Sequence, residues 1–332
     1  MTMDSVGKYL WIVWSYLKLY ALGLWYLVKE LCTPHKKPSG IESQNGRVAI
    51  VTGGGRGIGL ETVRRFLELN MTVVIAGRNV AALEEAVSEL RAEGIQGGTT
   101  KCLELDLMRL SSVRKFVEEF FALNFPLHLL VNNAGIMFWP KEITEDGHES
   151  HWSVNYLGHF LLTHLLFPSL VANSTPERPA RVVNLSSSAH YIGSINFDDI
   201  NSKKHYCARA AYSQSKLAQL MFTMTLADHQ RSSGGNVVVN AVHPGVVATQ
   251  LFQHVAWARI FPLLATTFLK TPHQGSDTVV HVALSSQAME GGYYYENCTI
   301  TKPATAAMNS DDRACLWVLS CKQLEIEHFG QI

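Results

Sequence analysis

The chain has 332 residues, 47% of them hydrophobic and 17% charged, which is enough apolar material for a packed core and excludes a disordered chain. Lys+Arg and Asp+Glu each total 28, and no basic run of five or more occurs, so a nucleic-acid partner is not expected. The six cysteines (Cys32, Cys102, Cys207, Cys298, Cys315, Cys321) include no Cys-x-x-Cys pair, which fits a reducing compartment and carries no zinc or redox signature.

The first element is a stretch of twenty residues, Tyr9 to Val28 (YLWIVWSYLKLYALGLWYLV), with one charge, Lys18. A helix of that length covers the roughly 30 Å of a bilayer core. No small-x-small cleavage site follows it. Tyr9, Trp11, Trp25 and Tyr26 near its ends suit the membrane interface. Residues 1–32 are therefore expected to be a retained anchor in contact with membrane lipid. Lys18 in mid-segment leaves an interfacial helix open beside a spanning one. Lys8 precedes the segment and Lys29, Lys36 and Lys37 follow it, which places the downstream domain on the cytosolic side. Residues 33–46 (TPHKKPSGIESQNG) form a polar linker.

From Arg47 onward short β-branched runs alternate with helical stretches. Strands are expected at 47–51, 72–76, 101–105, 127–131, 180–185 and 236–242, with Tyr293–Tyr295 as a last one. Helices are expected at 58–69, 81–93, 111–123, 146–170 and 211–231. Repeated β–α alternation with continuously apolar strands implies an α/β fold, a doubly wound parallel sheet of Rossmann type. Residues 47–332 read as one domain.

The first strand runs into Thr52-Gly53-Gly54-Gly55-Arg56-Gly57-Ile58-Gly59 and then a helix. Glycines there permit a tight turn and let backbone N–H groups approach a pyrophosphate. Asn132-Asn133-Ala134-Gly135 follows the fourth strand, Ser186-Ser187-Ser188 the fifth and Pro244-Gly245 the sixth, and Tyr212-x-x-x-Lys216 opens a late helix. With these motifs, residues 46 to 300 resemble a short-chain dehydrogenase/reductase. The resemblance implies an NAD(P)(H)-dependent enzyme. It places the dinucleotide against Gly53, Arg56, Gly57, Ile58, Gly59, Arg78, Asp106, Asn133, Ala134, Gly135, Tyr212, Lys216, Pro244 and Gly245, with Asp106 at the adenine. At the end of the second strand an NAD enzyme usually presents an acid to the ribose; this chain has Ala76-Gly77-Arg78. Arg78 and Arg56 suit a 2′-phosphate, so NADP(H) is favoured, with NAD(H) open.

Tyr212 and Lys216 lie one helical turn apart and share a face. A phenol titrates near 10, and a neighbouring ammonium together with an oxidised nicotinamide is expected to lower that value. The resemblance makes Tyr212 the proton donor and acceptor. It also gives Ser187 the substrate oxygen, with Ser186 and Ser188 as near alternatives, and Asn155 a proton relay near the lysine. The fourteen histidines include no H-E-x-x-H or comparable cluster, so no metal is expected.

After Pro244-Gly245 the family places a substrate lid. Here Val246 to Thr271 is unusually apolar, with Leu251, Phe252, Val255, Trp257, Ile260 and Phe261, and Met137, Phe138 and Trp139 offer a second apolar wall. Packing of the lid on the core is the alternative to a dry pocket. With the anchor, these features point to a lipophilic substrate drawn from a bilayer. Asn155-Tyr156-Leu157-Gly158-His159-Phe160 and His243-Pro244-Gly245-Val246-Val247 resemble the microsomal retinol dehydrogenase branch. The stretches around Asn124-Phe125-Pro126-Leu127-His128 and Phe252-Gln253-His254-Val255-Ala256-Trp257-Ala258 resemble the polyprenol dehydrogenase-like branch. These likenesses imply an isoprenoid or retinoid alcohol or aldehyde, at the endoplasmic reticulum or a lipid droplet. The family also forms homo-oligomers. The alternative from another class is a nucleotide-sensing scaffold without turnover.

Overall fold

A computed structural model describes residues 5–249 and 269–331 of the chain. After a long N-terminal helix, α1 (Ser5–Cys32), the β-branched runs form β1 (Val48–Thr52), β2 (Thr72–Gly77), β3 (Thr99–Glu104), β4 (Leu129–Asn132), β5 (Arg181–Leu185), β6 (Val238–His243) and β7 (Tyr294–Glu296). These seven lie parallel in the order 3-2-1-4-5-6-7, and a short β8 (Thr299–Thr301) closes the edge antiparallel to β7. Strands β1, β4, β5 and β6 are buried at every residue, which is why they read as unbroken apolar runs. Alternate side chains enter opposite layers: Val48 and Ile50 join one core, Ala49 and Val51 the other.

Helices α2 (Gly57–Glu68) and α3 (Val80–Ala92) pack on one face of the sheet. Helices α4 (Leu110–Ala122), α5 (Ser150–Ala172) and α6 (Ala208–Ser233) pack on the other. Helix α7 (Pro272–Leu284) joins the α2 layer and starts with a capping box between Thr271 and Gln274. In α2 the buried Thr62, Val63, Phe66 and Leu67 recur at helical spacing. Full burial of Phe66 alone contributes about 1.5–3 kcal/mol. Among the described residues, Ser150–Ala172 is the helix long and apolar enough to cross a membrane, but it is 83% buried inside the domain. It is the central core helix.

Three features differ from the sequence expectation. Helix α5 begins at Ser150, later than expected, because Glu149 accepts hydrogen bonds from the His151 and Trp152 N–H groups; a π-helical turn then spans Ser153–Leu157. The Tyr run is followed by β8, then α8 (Thr305–Met308) and α9 (Ser310–Leu324). Helix α9 packs on α5 and α6 through Trp317 and the 2.6 Å Tyr156–Ser320 hydroxyl contact. Finally, α1 docks on the domain: the Tyr26 hydroxyl donates to Glu296 Oε1 (2.7 Å) and Lys29 Nζ pairs with Glu296 Oε2 (2.6 Å). Segment 33–46 continues along the domain, with the Lys36 N–H donating to Asn297 Oδ1 and Asn297 Nδ2 donating to the Pro34 carbonyl, both at 3.0 Å.

Candidate active site

Strand order reverses between β1 and β4, and in open α/β sheets ligands bind at such a switch point, beyond the carboxyl ends of the strands. A cavity of about 1520 Å³ opens there. Of the residues singled out from the sequence, Gly53, Arg56, Gly57, Ile58, Gly59, Arg78, Asp106, Asn133, Ala134, Gly135, Ser187, Tyr212, Lys216, Pro244 and Gly245 all line it. Asn155 stands just behind.

The glycine turn is shaped for a close approach. Gly53 and Gly57 hold φ of +65° and +55°, and a Cβ on Gly59 would sit 2.3 Å from the Gly53 carbonyl oxygen. Arg56 precedes α2 with no side-chain cap, so the helix presents its first turn of backbone donors to the cavity. The Thr52 hydroxyl braces the turn, accepting from the Asn133 and Ala134 N–H groups (3.0 and 2.9 Å) and meeting His159 Nε2 at 2.9 Å. Burial lowers His159 to about 3, so it is neutral. Asn133 spends its side-chain amide on the Thr52 carbonyl at 2.7 Å, and it thereby positions the turn from behind. Arg56 and Arg78 are exposed at the rim, with no carboxylate at the end of β2. The Asp106 carboxylate accepts from the Met108 N–H and the Arg109 guanidinium. The donor set suits a dinucleotide.

At the inner end, Tyr212 is buried among Met137, Phe138 and Ala189. Burial pushes its phenol up to about 12, while the Ser187 hydroxyl draws it down. The sequence pattern had suggested a lowered value. Of the two charges expected to lower it, the Lys216 ammonium does not aim at the phenol: its Nζ donates to the Leu185 carbonyl at 2.8 Å and stands 5.9 Å from the Tyr212 ring centroid. Burial brings that ammonium down to about 8. The candidate serines differ in their contacts. Ser186 donates to the Lys216 carbonyl (2.9 Å), whereas Ser187 caps the 3₁₀ turn Ser188–Ile192 beside Tyr212. Asn155 lies in the π turn and grips the Ile136 backbone, accepting from its N–H (2.8 Å) and donating to its carbonyl (3.0 Å) and to Ser215 Oγ (2.9 Å).

Met137, Phe138 and Trp139 line the cavity as expected, and His151 Nε2 accepts from the Trp139 N–H at 3.1 Å. Of the segment expected as a lid, Val246, Val247, Ala248, Thr249 and Leu269 line it, while residues 250–268 lie outside the described residues. Sequence reasoning missed one wall: Leu19, Leu22 and Leu27 of α1 also line the cavity. Their three- and five-residue spacing was the available signal, but it was hidden in a segment apolar all round.

A family profile described as short chain dehydrogenase matches residues 47–259. Among curated proteins, human "Polyprenol dehydrogenase" is 38% identical over 312 residues, covering 92% of this chain and 94% of that protein. Human "Retinol dehydrogenase 12" is 41% identical over 283 residues, covering 85% and 87%. Among solved structures, a putative uncharacterized protein from Mycobacterium Paratuberculosis superposes with a TM-score of 0.71 at 30% identity, covering 88% of this chain and 98% of its own. The Pseudomonas aeruginosa RhlG/NADP active-site complex superposes with a TM-score of 0.61 at 25% identity, covering 77% and 96%.

Proposed function

We propose that this chain, which belongs to the short-chain dehydrogenase family, interconverts an alcohol and a carbonyl on a lipophilic, isoprenoid-type substrate, using NADP(H) in preference to NAD(H). The observation that carries the reading is Tyr212 with Ser187 at the meeting point of the glycine-lined and apolar halves of one cavity. The nicotinamide, when bound, supplies or accepts the hydride. Tyr212 gives the substrate oxygen a proton during reduction and takes it back during oxidation. Ser187 holds that oxygen by hydrogen bond as charge develops on it. Lys216 supplies positive potential and is held by Leu185; Asn155 sets the Ile136 backbone beside the site. Arg56 and Arg78 favour a 2′-phosphate through charge-assisted hydrogen bonds.

The substrate class draws on the apolar walls at Met137, Phe138, Leu19 and Leu22, and on the polyprenol-named relative. A retinoid is the second reading, favoured by the 41% identity to the retinol-named one. We place the chain on a membrane through α1, with the catalytic domain, 47–332, on the cytosolic face of the endoplasmic reticulum. The test is nicotinamide turnover by detergent-purified protein against polyprenols, dolichal, retinoids and steroids, with Tyr212→Phe beside it. Turnover on a long isoprenoid that Tyr212→Phe abolishes supports the proposal; tight cofactor binding with no turnover on any of them refutes it and leaves a nucleotide-sensing scaffold.

A further inference from the structure

Helix α1 carries apolar side chains on two opposite faces, and the domain covers only one. The inner stripe is Leu19, Leu22, Tyr26 and Glu30, at the three- and four-residue intervals of one helix face. Leu19 and Leu22 line the cavity, and Leu19 packs on the cluster that contains Met137 and Tyr212. Polar contacts lock the stripe along its length. Arg209 lies over the Tyr16 ring (3.3 Å) and donates to the Tyr20 hydroxyl (3.3 Å). Tyr26 is tied to Glu296, and the Glu30 carboxylate accepts from the Val246 N–H at 3.0 Å, directly beside the cavity.

The outer stripe is Leu10, Val13, Leu17, Leu24, Val28 and Leu31, again at helical spacing. It is open: Leu17 is 56% exposed and Leu31 59%, against 4% for Tyr26. A continuous apolar face of this length is rarely left to water. Its fringes identify what covers it. One edge carries Trp14, Lys18 and Trp25, with Lys18 Nζ 5.2 Å from the Trp14 ring centroid; the other carries Tyr16 and Tyr20. Tryptophan, tyrosine and lysine belong at the headgroup level of a bilayer. A spanning helix bears them at its two ends, a helix lying flat along its two long edges. Spanning would also pull Leu19 to Glu30 off the domain and unroof the cavity.

We propose that α1 lies flat in one leaflet of a lipid bilayer, its outer stripe in the acyl region and its inner stripe roofing the catalytic cavity. A lipophilic substrate then passes from lipid to Tyr212 along α1 without crossing water. This rests on the membrane-bound, lipophilic-substrate reading above and fixes its geometry.

The test uses the full chain in vesicles of phosphatidylcholine and phosphatidylserine, with the exposed Cys32 and Cys315 replaced by serine. Nitroxide labels go on single cysteines at positions 13, 17, 28 and 31. Equal, shallow depths, roughly 5–10 Å below the headgroups, are expected at all four. A depth that changes steadily by about 1.5 Å per residue would mean a spanning helix and overturn the proposal alone. Labels wholly in water would overturn the membrane reading with it. In a second arm, Leu17→Glu with Leu31→Glu should lower kcat/KM at least about tenfold for an isoprenoid alcohol dissolved in the vesicles, while a short alcohol in buffer is turned over within about twofold of the parent. Equal losses on both substrates would show the stripe to be structural and reject the entry route. A parent inactive on both would instead reject the oxidoreductase reading.

Discussion

Gly59→Ala tests where the dinucleotide lies, because the clash it creates can be matched by an equal clash elsewhere. The added Cβ would sit 2.3 Å from the Gly53 carbonyl oxygen and 2.6 Å from Asn133 Nδ2, where ordinary contact begins near 3.4 Å. Backbone must therefore retreat by more than 1 Å; Gly53 belongs to the turn that faces the cavity, and Asn133, just after β4, braces that turn. Overpacking of this kind costs about 1–3 kcal/mol. Gly97→Ala meets the Leu67 carbonyl at 2.4 Å, just before β3, at the opposite end of the sheet, so it carries a similar cost without touching the cavity. The two variants should lose similar stability in thermal unfolding. They should part in NADPH titration followed by fluorescence: Gly59→Ala should bind roughly 10–100-fold more weakly, because the loss falls on the pyrophosphate turn, while Gly97→Ala should bind within about twofold of the parent. If both variants bind NADPH like the parent, the pyrophosphate does not lie on this turn.

Tyr212→Phe should lower kcat about 10²–10⁴-fold with an unchanged NADPH dissociation constant, measured by stopped-flow turnover and equilibrium binding. Arg78→Ala removes a charge-assisted partner worth about 1.5–3 kcal/mol, so NADPH should weaken by about tenfold or more while NADH barely changes; equal losses for both would dissociate Arg78 from the 2′-phosphate. Lys216 is lowered by burial from 10.5 to about 8, so the folded protein releases this proton before the unfolded chain does. Its destabilising contribution is fully present below pH 8 and is relieved as pH rises toward 10.5, by on the order of 3 kcal/mol. Chemical denaturation of the parent and of Lys216→Met at pH 7.5 and 9.5 isolates the group: the parent should gain stability relative to the variant, and parallel profiles would contradict the buried charge.

Strands β1, β4, β5 and β6 were legible because burial on both faces demands unbroken apolar sequence, and the motifs at their carboxyl ends mark the cavity rim. Helix α9 was not legible: its buried stripe is Leu316, Ser320 and Leu324, and the polar Ser320 fits because its hydroxyl bonds both the Leu316 carbonyl and the Tyr156 hydroxyl. The π turn hides in a segment buried at every residue, where no periodicity can show. The Tyr212–Lys216 spacing placed both residues on one face of α6, but spacing does not aim a side chain, and the Leu185 carbonyl claims the ammonium. Helix α1 defeated pattern reading differently: with apolar residues all round, its sequence could not say that one face meets protein.

The two ends of the segment expected as a lid meet in a parallel bridge between Val247 and Lys270, where the Ala248 N–H donates to the Lys270 carbonyl and the Lys270 N–H to the Val246 carbonyl, both at 2.9 Å. That bridge works as a clasp. It fixes side by side the two points between which residues 248–269 run. Doubling the length of chain closed by such a bridge adds only about 0.6 kcal/mol of closure entropy. Insertions inside the clasp are therefore expected to cost little stability and to leave the sheet and the glycine turn undisturbed.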